Sequence, residues 1–134
     1  MKISSKGRYA VRVLIDIATH QNEYVSIAEI SARQGVSVKY LEKIMNSLVK
    51  GKLVTSLMGP NGGYKLAKPT NKCTIAEIFA LTGDTPTLAP CQMEKNECAS
   101  RAKCTTIGYW DTLQKLIVDN LNKITLKDLI DKTY

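Results

Sequence analysis

Histidine is nearly missing from this chain. There is one, His20, with one tryptophan and one phenylalanine among 134 residues. No paired carboxylates and no Ser/His arrangement stand at a spacing that would set a general base beside a nucleophile, so an enzyme is not expected. Long apolar runs are also lacking: nothing approaches the ~18 uninterrupted residues of a membrane span. After Lys2, Lys6 and Arg8, Arg12 and Asp16 break the stretch that a signal peptide would keep apolar. The expected location is therefore cytoplasmic, with no membrane partner. In that compartment four cysteines do not make a disulfide framework.

What is present suits a soluble domain. Hydrophobic residues make up 44% and charged residues 23%, enough for a packed core in one domain of ordinary size with a dimerisation arm. The net charge of +7 is placed unevenly. Residues 1–68 hold eleven Lys/Arg against four Asp/Glu, whereas residues 69–134 hold eight of each. All of the excess lies in the first half, as in a polyanion-binding module joined to a neutral one, although a solvated basic surface gives the same balance.

The first half reads as three helices and a hairpin. Ala10, Val13, Leu14 and Ile17 recur at helical spacing within residues 5–20. Asn22 to Tyr24 form a short connection. Ser26 and Glu29 make a capping-box pattern opening a helix of about two turns that Gly35 ends. Ser37 caps a third helix running to Lys50. Leu41, Ile44, Met45 and Leu48 share one arc of it, and Lys39, Glu42, Lys43, Asn46 and Lys50 the other. That outer face is hydrogen-bonding and net basic, suited to a groove edged by phosphates. An ordinary amphipathic surface helix has the same period. Leu53 to Thr55 then read as a strand, Gly59-Pro60-Asn61-Gly62-Gly63 as a turn and Tyr64 to Leu66 as a second strand. A helix-turn-helix followed at once by a glycine hairpin is a winged helix, and it points to DNA binding.

Beyond Lys68-Pro69 a second capping-box pattern, Thr74 and Glu77, opens a helix through Leu81. From Gly83 to Lys103 no period is evident. Ile107, Trp110, Leu113, Ile117, Leu121 and Ile124 then form the apolar seam of a long helix, and Thr125 and Asp128 start a last short one. The seam has little to pack on within so small a module. Pairing with a second copy would bury it, and a two-fold dimer suits a palindromic operator on double-stranded DNA. Packing on its own wing domain is the alternative.

Cys73 sits at a helix start and reads as a small buried hydrophobe. Cys91, Cys98 and Cys104 share the irregular loop, spaced C-x6-C-x5-C. Lys95, Arg101 and Lys103 nearby would favour thiolates. Three thiolates on one loop can close around an iron–sulfur cluster, act as a thiol-based sensor or bind zinc, and all three remain open. His20, at the end of the first helix, is no evident fourth ligand.

At this point a resemblance emerges. The opening Met1-Lys2-Ile3-Ser4-Ser5-Lys6-Gly7-Arg8-Tyr9-Ala10-Val11 resembles the start of the IscR, NsrR and CymR group of bacterial regulators, the Rrf2 family. Ile30-Ser31, Gln34-Gly35-Val36-Ser37, Tyr40-Leu41-Glu42 and Gly59-Pro60-Asn61-Gly62-Gly63-Tyr64 agree. So do the cysteine triad, the Trp110 helix and Ile124-Thr125-Leu126, so that nearly the whole chain is covered. The resemblance implies a homodimer whose long helix crosses the interface, with a [2Fe–2S] cluster on Cys91, Cys98 and Cys104 that changes which operators are bound and that purified protein can lack. It implies that Tyr40, Glu42 and Lys43 meet the major groove and the Gly59–Gly63 hairpin the minor groove. Three positions depart from the pattern. Ile107 stands where IscR-like proteins carry a ligating histidine, Arg8 where other members have an acidic residue, and Met58 where a basic residue often precedes the wing glycine.

The expectation is thus a mainly α chain with a small β-wing. Residues 1–68 would form a winged helix-turn-helix that reads DNA through Arg8, Lys39, Tyr40, Glu42, Lys43, Asn46, Gly59, Pro60, Asn61 and Gly62. Residues 69–134 would carry the cysteine loop and the dimerisation helices. The function expected is transcription regulation set by the cluster, over iron–sulfur assembly, redox or nitrosative-stress genes. The alternative is a cluster-free member controlled by thiol oxidation or a partner enzyme, as CymR-like proteins are.

Overall fold

A computed structural model describes residues 1–20, 23–84, 86–93 and 98–134. Helix α1 (Ser5–Thr19) starts where the Gly7 amide donates to the Ser4 hydroxyl at 3.0 Å. It buries the expected stripe, with Ala10, Val13 and Leu14 fully covered and Ile17 1% exposed. Of the short connection expected next, Asn22 lies outside the described residues. Helix α2 (Ile27–Gln34) carries both halves of its capping box: the Glu29 amide donates to Ser26 Oγ at 3.2 Å, and the Ser26 amide to Glu29 Oε2 at 2.9 Å. Gly35, at φ +64°, ends it in the left-handed region. Ser37 then caps helix α3 (Val38–Lys50) by accepting from the Tyr40 amide at 3.3 Å.

Strands β1 (Val54–Leu57) and β2 (Gly63–Leu66) pair antiparallel, Val54 opposite Leu66 and Leu57 opposite Gly63. Leu53, expected in the first strand, is instead a buried hinge. Its amide donates to the Leu48 carbonyl at 3.0 Å and its carbonyl accepts from Ala67 at 2.9 Å. Val25 adds a third edge to the wing by exchanging two hydrogen bonds with Tyr64, at 2.9 and 2.8 Å. A Cβ on Gly63 would lie 2.2 Å from the Val25 carbonyl oxygen, so only glycine admits this approach.

Helix α4 (Ile75–Thr82) is capped by Thr74, which accepts from the Glu77 amide at 3.2 Å. The expected reciprocal box is only half formed, because the Glu77 carboxylate binds the Lys68 ammonium at 2.6 Å. A charge-assisted bond outweighs one to a neutral amide. The irregular stretch after Gly83 contains two short 3-10 turns, Pro90–Gln92 and Arg101–Lys103. Helix α5 (Ile107–Lys123) follows, and α6 (Leu126–Asp131) opens on a complete Thr125/Asp128 box. The Ile75 amide donates to Ile124 at 3.0 Å and the Leu126 amide to Cys73 at 2.9 Å, pinning the α5–α6 corner to the start of α4.

Ile30, Leu41, Ile44, Leu48 and Leu53 share one buried cluster with Ile78, Phe79 and Leu126, so α4 and α6 complete the core that α1–α3 begin. Cys73, 2% exposed, sits within it as a small hydrophobe. The α5 seam behaves otherwise. Leu121 and Ile124 reach the core, Ile107, Leu113 and Ile117 are half-buried and Trp110 is 37% exposed, so no residue of α5 is buried; beside the seam Tyr109 and Leu116 are each 63% exposed. Among the described residues, no helix is long and apolar enough to cross a membrane.

Candidate nucleic-acid interface and cysteine loop

The two faces of α3 separate as its periodicity demands. Leu41, Ile44, Met45 and Leu48 are fully buried, while Lys39, Glu42, Lys43, Asn46 and Lys50 are exposed together on the opposite side. Tyr40 is half-buried, its ring edge-on to Tyr9 with centroids 6.0 Å apart. Arg12 lies 5.1 Å over the Tyr9 ring and donates to the Gln34 carbonyl at 3.0 Å and to its Oε1 at 3.1 Å, so it is engaged within the fold. Gly59, Pro60 and Asn61 are exposed at the wing tip, and the Gly62 amide closes the turn on the Gly59 carbonyl at 3.0 Å. Arg8 lies beside Tyr9 and Arg12. It is exposed, reaches Ser5 Oγ at 3.2 Å and lines an apolar groove of about 520 Å³ with Phe79, Leu121, Ile124 and Leu129.

Two anchors hold this surface, and neither shows in local sequence. Asp16 is 5% exposed. It takes two bonds from Arg33 Nε, at 3.2 and 3.0 Å, one from Arg33 Nη2 at 2.7 Å and one from Gln34 Nε2 at 2.8 Å. Burial would raise its carboxyl, but the bonds from Arg33 and Gln34, with the Arg33 charge, hold it below the ordinary value. The only sequence signal is a carboxylate inside an apolar stripe. The second anchor is Asp84, which accepts from the Ser4 amide and hydroxyl and from the Thr82 hydroxyl, each at 2.8 Å. Burial opposes ionisation there too, and those bonds outweigh it to lower the Asp84 carboxyl. A Cβ on Gly7 would lie 2.2 Å from Asp84 Oδ2, so the glycine lets the carboxylate onto the amino end of α1. One residue before Gly7, Lys6 donates to Ser47 of α3 at 2.9 Å.

The cysteine loop runs from Asp84 to the start of α5. Cys91 and Cys104 are half-buried and Cys98 is exposed, all as free thiols. Arg101 ties the loop together by donating to the Cys91 carbonyl at 2.7 Å, and it reaches Asp111 of α5 at 3.5 Å. Gln92 donates to the other Asp111 oxygen at 3.2 Å. Cys104 Sγ lies 3.3 Å from the Thr106 hydroxyl, and that contact with the Thr106 and Ile107 amides lowers its pKa. Lys95, expected to favour thiolates, lies outside the described residues. Three thiols suit three of the four ligand positions of a cluster. Among the described residues, however, no three His, Cys, Asp or Glu side chains stand together as a metal site, and Ile107 offers no donor. Ligation would have to draw the thiols together.

A helix-turn-helix followed by a two-stranded wing, with a long amphipathic helix beyond, defines a winged-helix transcription regulator. The chain belongs to the Rrf2 family of iron-dependent transcriptional regulators, matching it over residues 3–132. It is 40% identical over 131 residues to the HTH-type transcriptional regulator IscR of Vibrio campbellii, covering 97% of this chain and 77% of that protein. The structure of CymR, the global cysteine regulator of B. subtilis, superposes with a TM-score of 0.81 at 27% identity, over 100% of this chain and 99% of that one. The T. potens IscR structure gives 0.74 at 30% identity, over 100% and 89%. These relatives are regulators, not enzymes.

Proposed function

We propose that this chain is a cytoplasmic, homodimeric regulator whose operator affinity is set by an iron–sulfur cluster, of the [2Fe–2S] type, held by Cys91, Cys98 and Cys104. Its genes would be those of iron–sulfur assembly, redox or nitrosative-stress responses. The observation that carries the reading is that three cysteines share one loop whose first residue, Asp84, accepts two hydrogen bonds from Ser4, the cap of α1. Residues 1–68 are the DNA-reading part and residues 69–134 the controlling part, although the two share a core.

On DNA, Lys39 and Lys43 face phosphates, while Tyr40, Glu42 and Asn46 meet base edges in the major groove. Glu42 accepts from a cytosine amino group. The Gly59–Gly62 turn carries the wing to the minor groove, and Arg8 contributes positive charge at the start of α1. A second copy covers the exposed face of α5 and sets two recognition helices against a palindromic site. When bound, the cluster supplies a centre sensitive to redox state and to nitric oxide. The loop residues transmit its presence: Asp84 holds Ser4 and the amino end of α1, and Lys6 holds Ser47 of the recognition helix.

The test is the visible spectrum of protein purified without oxygen, with iron and sulfide counted per chain and DNA affinity measured before and after reconstitution. Charge-transfer bands and about two irons per chain are expected. A protein that stays colourless after reconstitution sinks the cluster reading. The second reading is control by thiol oxidation or a partner enzyme. The separated thiols, the favoured Cys104 thiolate and the CymR superposition favour it, and it predicts an affinity that responds to peroxide without iron.

A further inference from the structure

The wing ends in apolar side chains that stand exposed among the described residues. Between Lys52 and Lys65 there is no charged residue, and at the hairpin tip Leu57 is 48% exposed and Met58 91% exposed. The tip is held firmly. Val25 pairs with Tyr64 at the base, and a Cβ on Gly62 would lie 2.0 Å from the Leu57 carbonyl oxygen, so the turn folds tightly back on the strand. Gly59, at φ +111°, reverses the chain immediately after Met58 and leaves that side chain projecting. Lys52 and Lys65 are exposed on either arm of the hairpin. β1 follows α3 after only Gly51–Leu53, so the base of the hairpin adjoins the carboxyl end of α3.

We propose that Met58, backed by Leu57, is an apolar wedge that enters the minor groove of DNA and partly unstacks one base step there. The inference rests on the DNA-reading surface proposed above. A polyanion has no use for an apolar tip unless the tip reaches bases, and the flanking lysines match phosphates on the two sides of a groove. Partial unstacking costs least at a pyrimidine–purine step, so the wedge adds a sequence preference at a position that α3 does not read. Because Met58 neutralises no phosphate, its contribution is independent of salt.

The full-length wild-type protein first selects its operator from a random duplex library. Binding of that duplex by wild type, Met58→Ala and Met58→Leu is then measured by anisotropy across a salt series, with 2-aminopurine placed stepwise under the wing. Wild type should raise 2-aminopurine fluorescence at one step. Met58→Ala should lose that rise and bind about tenfold more weakly with an unchanged salt slope. Met58→Leu should retain both. Equal affinity of Met58→Ala and wild type, or no fluorescent step, overturns the wedge. So does a change in oligomeric state of Met58→Ala, which would make the tip a protein contact. Failure of wild type to enrich any sequence would instead overturn the DNA reading beneath it.

Discussion

Helices α3 and α5 are both amphipathic, yet they meet opposite fates. In α3 the apolar arc of Leu41, Ile44, Met45 and Leu48 is fully buried within the chain. In α5 no residue is buried: Ile107, Leu113 and Ile117 of its seam are only half covered, and Tyr109, Trp110 and Leu116 are exposed. Helix α3 is finished by its own chain, with α1, α2, α4 and the wing supplying its partners. The long helix is finished only at its carboxyl end, where Leu121 and Ile124 join the core. Under the proposed function the difference has a use: a helix that reads DNA has to be rigid to present side chains in register, whereas a surface that takes a second copy has to remain available.

That contrast can be broken, and the most damaging blow falls on the core beneath α3. Ile44→Ala removes a fully buried side chain and should cost about 4 kcal/mol in urea unfolding. A cost near zero would mean the α3 core is loosely packed. Arg33→Ala leaves the buried Asp16 carboxylate without its guanidinium and should cost about 3 kcal/mol. Both Asp16 and Asp84 ionise below the ordinary carboxylate value of 3.8 in the folded chain. Their stabilisation is complete above that value and fades as pH falls through the lower folded values. An acid titration of wild-type stability should therefore be flat above about pH 5 and fall steeply below about pH 4, and Arg33→Ala should flatten the fall.

If α5 takes a second copy as proposed, changes on its exposed face should act on assembly rather than on folding. Leu116→Glu places a charge on the exposed face of α5 and should shift the sedimenting species to a single chain, with helical content retained. A variant still dimeric would assign the interface elsewhere. The mildest probe is alkylation. Cys73 is 2% exposed, and burial pushes its thiol up to about 11, so it should label slowly while Cys91, Cys98 and Cys104 label fast in the native protein. Equal rates at all four would show that α4 opens readily.

Much of the winged helix is legible in the sequence alone. The Ser26/Glu29 box, the Gly35 stop, the Ser37 cap and the two arcs of α3 each depend on residues within a turn or two of one another. The cysteine triad was visible as a spacing. The Thr74/Glu77 box was half mistaken because Lys68, nine residues from Glu77, claims the carboxylate. The first strand was placed one residue early because Leu53 looks like a strand residue but is held by Leu48 and Ala67.

Local chemistry in the chain determined where helices start, stop and turn a face inward, because capping and periodicity act over three or four residues. Tertiary structure alone decided what lies across from what. Ser4 meets Asp84 eighty residues on, Val25 joins the wing, Asp16 finds Arg33, and the apolar seam of α5 is left only half covered. Those pairings depend on how the chain closes on itself, and no short stretch of sequence carries that information.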